Sequence, residues 1–181
     1  MTIKATVNGV AITEDAVRFE FDRLAAFYRT HGVSMEEIKR NRAELERKAL
    51  DQAIGARLLL ERAESLDIPV SPAEIDAEVA KVVAQLGGDD AYRAALAAQH
   101  VSEEAFRRKL ATGVKVNKVV EQACSGADEP SEAEISEFLA AHRGEGVTPE
   151  SARDLLRHQT RGRALDAFVE ELKAAAKIVL G

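Results

Sequence analysis

The chain has 181 residues, of which 46% are hydrophobic and 31% are charged, so we expect a folded protein with a packed core. The formal net charge of −6 argues against a general nucleic-acid binder, which needs a basic face to displace counterions. Few glycines and prolines, few aromatic residues and no tryptophan favour helices packed through small aliphatic side chains.

No apolar run approaches the roughly 20 residues that span a bilayer, so no membrane span is predicted. The first residues lack the apolar core of a secretory signal. A cytoplasmic location is therefore expected for the chain as written, and a periplasmic or exported location if a leader was removed. The lone cysteine, Cys124, cannot form an internal disulfide and is predicted to be a small residue on a helix face.

The chain begins with the pattern of a short strand, because apolar and polar residues alternate over residues 3–7. Asn8-Gly9 is a strong turn dipeptide, and Thr13 is typical of a helix N-cap. An amphipathic helix is predicted over residues 14–30, and His31-Gly32 is predicted to stop it.

A long helix is predicted next, from about Met35 to Leu66, with Ser34 and Glu37 as its capping box. At 1.5 Å per residue it would reach on the order of 45 Å. Its second part is apolar on more than one side, which indicates that it packs on two sides and forms the spine of the molecule. The two apolar rows are Leu45, Ala49, Ala56, Leu60 and Ala63, and Leu50, Ile54 and Leu58.

Capping residues and glycines divide the rest of the chain into further helices. A helix is predicted to end at Gly87-Gly88, a short helix follows around Tyr92, and a break is predicted at Ser125–Pro130. The helix starts are marked by Ser71, Ser102, Ser131 and Thr148-Pro149.

The last residues, 177–181, form a short apolar run of strand type. A lone strand is not stable, so the strands at the two ends of the chain are expected to pair into a small sheet. The sequence therefore predicts a mainly α protein with a small β pairing of its N- and C-terminal strands.

Catalytic and metal-binding signatures are missing from the sequence. The four histidines do not have the spacing of a metal site, and there is no nucleophile elbow, P-loop or dinucleotide-binding glycine pattern. Pairs of acidic residues fall in predicted first helical turns, where the helix dipole accounts for them. We therefore predict no catalytic residue, no metal and no cofactor.

Two basic runs, residues 39–48 and 153–163, allow two interpretations. Each run can be a solvated helix face. Each can also be a rim that attracts acidic segments of a client or partner.

The order of several stretches is informative. These are Val7–Thr13 before an amphipathic helix, Ala63–Asp76 after the long helix, Phe106–Leu110 and Pro130–Phe138. Over about residues 5–142 this order resembles the N-terminal chaperone region of SurA-like and PrsA-like foldases. The resemblance implies a multi-helix SurA-N-like chaperone fold, a helical cradle that holds unfolded or extended polypeptide clients.

In that family a parvulin prolyl-isomerase domain of roughly 90 residues usually follows this region. Here only Arg143–Val147 occupies the corresponding place, and the segments after it resemble the family's returning helix and strand. The resemblance therefore implies a chaperone without isomerase activity and not an enzyme. We predict one domain, 1–181, with one lobe of 1–66 with 148–181, another lobe of 67–142, and the loop 143–147 in place of the parvulin domain.

The candidate peptide-binding residues lie on the first helix and are Phe21, Leu24, Phe27 and Tyr28. Phe21 and Leu24 can equally pack on the spine helix. Phe27 and Tyr28 are adjacent, so they cannot both point into one narrow stripe, and one of them is expected to be an exposed contact. Two alternatives stay open: a structural or partner-binding subunit, such as a homodimer formed by exchange of the terminal helix, and an isomerase-related enzyme.

Overall fold

The computed structural model describes residues 2–127, 129–144 and 146–181. This part of the chain has eight helices and three strands, which confirms the predicted mainly α class. None of the described helices is both long enough and apolar enough to cross a membrane. Backbone contacts divide the chain into two compact units, one of residues up to Val119 with Ala176–Gly181, and one of Val120–Ala175.

The strands form one antiparallel sheet. β1 (Ile3–Val7) lies between β2 (Val10–Thr13) and β3 (Ile178–Leu180), so the predicted pairing of the two chain ends is confirmed. β2 was not predicted as a separate strand. It forms because Asn8 and Gly9 have φ angles of 51° and 86°, the left-handed pair of a tight hairpin turn.

Helix α1 (Glu14–Thr30) has the predicted bounds. The Thr13 hydroxyl accepts a hydrogen bond from the Ala16 N–H at 3.3 Å, which satisfies one of the unpaired donors of the first turn. At the other end the chain leaves the helix at His31, and Gly32 adopts a φ of 84°. A residue with a side chain is strained at that angle, so Gly32 suits the stop.

The predicted single helix 35–66 is wrong in one respect, because the chain forms two helices, α2 (Met35–Arg40) and α3 (Arg42–Ser65). They meet at Asn41, whose backbone leaves the helical region with φ −96° and ψ 16°. Residues 39–42 are exposed, so no packing holds the helix straight there. Asparagine is also a poor interior helix residue, because its amide competes for backbone hydrogen bonds.

Helix α3 is the spine of the first unit, where it packs against α1, α2, β1 and β2. Three members of its predicted apolar rows are not in the core, since Ala56 is exposed and Leu50 and Leu60 are half-buried. Its buried residues are Leu45, Ala49, Ala53, Ile54, Gly55, Leu58 and Ala63.

The side chain of Asn8 connects three parts of this unit. Its Nδ2 donates to the Glu61 carboxylate of α3 at 2.8 Å, and its Oδ1 accepts from the Lys177 N–H at 2.9 Å. The Asn8 N–H donates to the Lys177 carbonyl, also at 2.9 Å. Thus the residue that makes the turn also holds the hairpin on the spine and aligns the chain entering β3.

Three helices follow in the first part of the chain, α4 (Pro72–Leu86), α5 (Asp89–Ala98) and α6 (Glu103–Cys124). The predicted capping box of α4 is present. The Lys118 amine lies 2.7 Å from the Glu74 carboxylate of that box and donates to the Pro69 carbonyl at 2.6 Å. Lys118, followed by the Ser71 backbone N–H and hydroxyl, lowers the pKa of Glu74 to about 2.

Tyr92 of α5 gives a pH-dependence prediction. Its side chain is buried against Phe106, and its hydroxyl donates a hydrogen bond to Glu103 at 2.7 Å. Burial, the larger cause, and this hydrogen bond raise the pKa of Tyr92 to about 12. Both causes favour the neutral phenol. The Tyr92 contribution to stability is therefore complete below pH 10 and is lost as the pH rises through about 12.

The measurement is an ultraviolet titration of tyrosinate absorbance for the wild type and for Tyr92→Phe, because their difference reports Tyr92 alone. We expect the difference to titrate with a midpoint near 12. A midpoint near 10, the ordinary value for tyrosine, would contradict the buried, hydrogen-bonded environment.

The second unit contains α7 (Glu132–Ala141) and α8 (Pro149–Ala175), which pack on each other. Arginines of α8 form ion pairs within this unit: Arg153 with Glu132 at 2.6 Å, Arg157 with Glu129 at 2.9 Å and Arg161 with Glu121 at 2.8 Å. These arginines of the second basic run are therefore engaged inside the chain.

The division into units differs from the predicted lobes. Residues 148–175 group with the segment that begins at Val120, and only Ala176–Gly181 group with the N-terminal part. The connection between α7 and α8 is residues 142–148, of which Glu145 lies outside the described residues, as does Asp128 of the predicted break. The predicted single domain and its two lobes both stay predictions.

Candidate peptide-binding groove

Helix α1 packs mainly on α3 but keeps its apolar side chains accessible. Within α1, all of which the structure describes, Glu20 alone is buried, and its carboxylate is paired with Arg23 at 2.8 Å. The candidate residues Phe21, Leu24 and Tyr28 are half-buried. A helix face in this state is part core and part surface, so it is available for contacts with another chain.

A cleft of the first unit opens beside this face. It has a volume of about 700 Å³, within the usual range for ligand-binding sites. Apolar side chains from α1 and α3 meet in it, and charged side chains surround them. The lining residues are Val17, Phe21 and Leu50, with Lys4, Glu14, Arg18, Arg42, Glu46 and Arg47.

Two further clefts continue from the first. The second, about 430 Å³, shares Arg47 with it and is also lined by the apolar Leu24 and Tyr28 and by the polar Lys48, Asp51 and Gln52. The third, about 300 Å³, shares Tyr28 and Lys48 with the second and reaches Ile38 of α2. We call the three together the α1–α3 groove.

The length of the groove can be judged from the helix that forms one wall. Val17 and Tyr28 line opposite parts of it, and at 1.5 Å per residue they are roughly 16 Å apart along α1. An extended chain advances about 3.3 Å per residue, so about five residues of an extended peptide match this length.

Charges at the first cleft are mostly paired. Arg42 lies 2.7 Å from the Glu46 carboxylate, and its guanidinium is 5.8 Å from the centroid of the Phe21 ring. Lys4 faces Glu14 at 3.8 Å. Arg47, in contrast, is exposed and has no ion pair or hydrogen bond from its side chain within the described residues.

The other end of the groove has a different charge. The Lys48 amine lies 3.1 Å from the Glu44 carboxylate and is hydrogen-bonded to it. This hydrogen bond, the largest cause, and the neighbouring Tyr28 raise the pKa of Lys48. The backbone N–H and then the hydroxyl of Ser34 lower the pKa of Glu37. Glu37 and Glu44 both line the third cleft, which makes this end acidic.

Phe27 lies outside the three clefts. Its side chain is 55% exposed, and its ring packs on His31 with centroids 4.1 Å apart and edge-on against Tyr28 at 5.8 Å. Of the adjacent pair, Phe27 is thus the exposed one and Tyr28 faces the groove. The candidate residues predicted from the sequence all lie on α1, so the prediction missed Leu50 and Arg47 of α3. The basic run 39–48, which contains Arg47, was the feature of the sequence that indicated Arg47.

Within the described residues, no group of three His, Cys, Asp or Glu side chains is placed to hold a metal ion. Cys124 is buried, and its thiol lies 3.5 Å from the Arg161 carbonyl in the second unit. The groove itself consists of apolar side chains from α1 and α3 with charged side chains around them.

The fold is that of the SurA-like class of chaperones. The family model of the SurA-like N-terminal domain matches residues 2–120, and the chain belongs to that family. The α1–α3 groove lies entirely within the matched residues. No curated protein matches the sequence.

A solved structure with a similar fold comes from work on the virulence factor PEB4 and the periplasmic protein Cj1289 of Campylobacter jejuni, described as two structurally related SurA-like chaperones. The similarity has a TM-score of 0.58 at 13% identity and covers 100% of both chains. At this identity the likeness concerns the fold. In the described part of the present chain no parvulin domain is evident, since residues 142–148 join α7 to α8.

Proposed function

We propose that the chain holds extended, aggregation-prone polypeptide segments in the α1–α3 groove, without ATP and without prolyl isomerisation. The observation that carries the proposal is the half-exposed apolar face of α1 along three consecutive clefts. Membership of the SurA-like family supports it.

Physical chemistry favours a peptide over a small rigid ligand. The groove is elongated and open, so it suits a chain that contacts it at several points, each contributing a little apolar burial. Apolar walls from Val17, Phe21, Leu24 and Leu50 can accept different aliphatic or aromatic side chains. Such a surface binds many clients weakly, which is what holding unfolded chains requires.

The test measures the aggregation of chemically unfolded client proteins by light scattering, in the absence of nucleotide. We expect suppression at near-equimolar ratios for more than one client. Unchanged aggregation of all clients would contradict the proposal. A protease-coupled prolyl-isomerase assay is expected to show no turnover above background, and clear turnover would favour the isomerase-related alternative.

A partner-binding subunit is a second candidate function, and one observation favours it. β3 is an edge strand, and its residues Val179 and Leu180 are exposed apolar side chains. Unpaired strand edges are templates for pairing with another chain. Light scattering coupled to size exclusion distinguishes the two: a stable dimer that does not suppress aggregation would favour this alternative.

We also propose an extracytoplasmic location. Support comes from the SurA-like family and from Cj1289, which is described as periplasmic. Fractionation of the native host with an antibody to the chain tests the location, and recovery only with cytoplasmic markers would contradict it.

A further inference from the structure

We infer that the α1–α3 groove selects polypeptide segments in which an acidic residue lies next to apolar residues, and that Arg47 binds that acidic side chain. This inference rests on the proposed function, because it names the class of client for the same groove. It follows from the distribution of charge along the groove.

The first cleft is locally positive in a negative protein. Four basic residues line it against two acidic ones, Glu14 and Glu46, whereas the whole chain has a formal net charge of −6. The four are Lys4, Arg18, Arg42 and Arg47. A local field opposite in sign to the rest of the surface draws an acidic ligand to that place and disfavours a basic one.

Arg47 is the residue placed to use this field. The other three basic residues have carboxylate neighbours: Lys4 faces Glu14, Arg18 faces Asp15 and Arg42 faces Glu46. Arg47 forms no ion pair in the described part of the chain, although Asp51, one turn further along α3, lines the second cleft with it, so its guanidinium does not have to leave a partner in order to bind a client. Guanidinium also matches a carboxylate with two parallel hydrogen bonds, which fixes the orientation of the acidic side chain.

The position of Arg47 determines where the apolar residues of the client lie. It lines both the first and the second cleft, between the walls that carry Phe21 and Leu50 and those that carry Leu24 and Tyr28. A carboxylate bound there has Phe21 and Leu50 on one side and Leu24 and Tyr28 on the other. The residues directly before and after the acidic one are therefore the apolar contacts.

The third cleft determines which charges of the client are favoured at the other end of the groove. Its acidic residues, Glu37 and Glu44, outnumber its basic residue, Lys48. A second acidic side chain at that end meets like charge, which disfavours binding. The groove thus accepts an acid at Arg47 and a neutral or basic residue beyond Tyr28.

The experiment uses three fluorescein-labelled peptides with one apolar core of Leu and Phe, differing only in a central Asp, Ser or Lys. Binding is measured by anisotropy at about 50 mM and 500 mM NaCl. At low salt we expect the Asp peptide to bind about three- to fivefold more tightly than the Ser peptide, and the Lys peptide more weakly. High salt should reduce the difference, because exposed charges are screened.

Variants assign the effect to one residue. Arg47→Ala is expected to remove the preference for the Asp peptide over the Ser peptide, and Arg47→Lys to retain part of that preference. The matched control is Arg62→Ala, since Arg62 is an exposed arginine of the same helix that lines none of the three clefts. Arg62→Ala should keep the full preference.

The outcomes separate this inference from the proposed function. Equal binding of the three peptides, or an Asp preference that persists in Arg47→Ala, would overturn the role of Arg47 and leave peptide holding intact. Binding of no peptide, together with unchanged client aggregation, would overturn the proposed function itself.

Discussion

Replacing Phe21 by aspartate is expected to raise the concentration of the chain needed for half-suppression of client aggregation by about tenfold or more, as for loss of a central apolar contact. Phe21 lines the first cleft of the groove, and its ring lies 5.8 Å from the Arg42 guanidinium. The substitution removes an apolar contact and places a carboxylate among the apolar walls. The new carboxylate also competes with the acidic side chain of a client for the nearby basic residues.

Phe19→Asp is the matched control, because Phe19 is on the same helix, is 63% exposed and lines none of the clefts. It introduces the same charge into α1 without changing the groove, so holding should stay close to that of the wild type. Circular dichroism melts of both variants verify that they fold. Equal loss of holding in the two variants, or none in Phe21→Asp, would move the binding surface away from the groove.

The second large effect concerns stability. Leu58→Ala is expected to lower the free energy of unfolding by about 3 kcal/mol, within the range for buried leucines. Leu58 is 4% exposed on α3, the helix against which α1, α2, β1 and β2 pack. Truncation loses the transfer free energy of the side chain and leaves a cavity that rigid neighbours on several sides cannot fill.

Urea unfolding followed by circular dichroism measures this difference. The control is Leu86→Ala at the end of α4, where the leucine is 43% exposed and a loss below about 1 kcal/mol is expected. Similar losses in both variants would mean that α3 is not the spine of the first unit. Because the wall of the groove is built on α3, Leu58→Ala should also weaken client holding at temperatures near its lowered melting point.

Local signals in the sequence predicted the helix boundaries well. Ser34, Ser71 and Ser131 each form the capping box that their spacing to Glu37, Glu74 and Glu134 indicates. A capping box involves only residues three positions apart, so no distant part of the chain can change it much. Pairing of the terminal strands was also predictable, since each strand needs a partner.

Packing decided other features. The break at Asn41 depends on whether neighbouring elements hold residues 39–42 in a helix, and they do not, since these residues are exposed. Within the spine, periodicity placed Ala56 and Leu60 in the apolar rows, but the directions from which α1 and the sheet approach α3 left Ala56 exposed and Leu60 half-buried. Periodicity identifies a face of a helix and not the partner that covers it.

The sequence by itself therefore determined the helix starts that carry capping residues, the hairpin turn, the mainly α class and the resemblance to SurA-like chaperones, because these follow from neighbouring residues and their order. Only the tertiary structure decided that Tyr28 faces a groove while Phe27 points outward, and that Arg47 lines clefts with Phe21 and Leu24 and forms no ion pair in the described residues. The physical reason is that a groove needs two walls. Residues on α1 and α3 are far apart in the sequence, so the shape and charge between them exist only once the two helices pack.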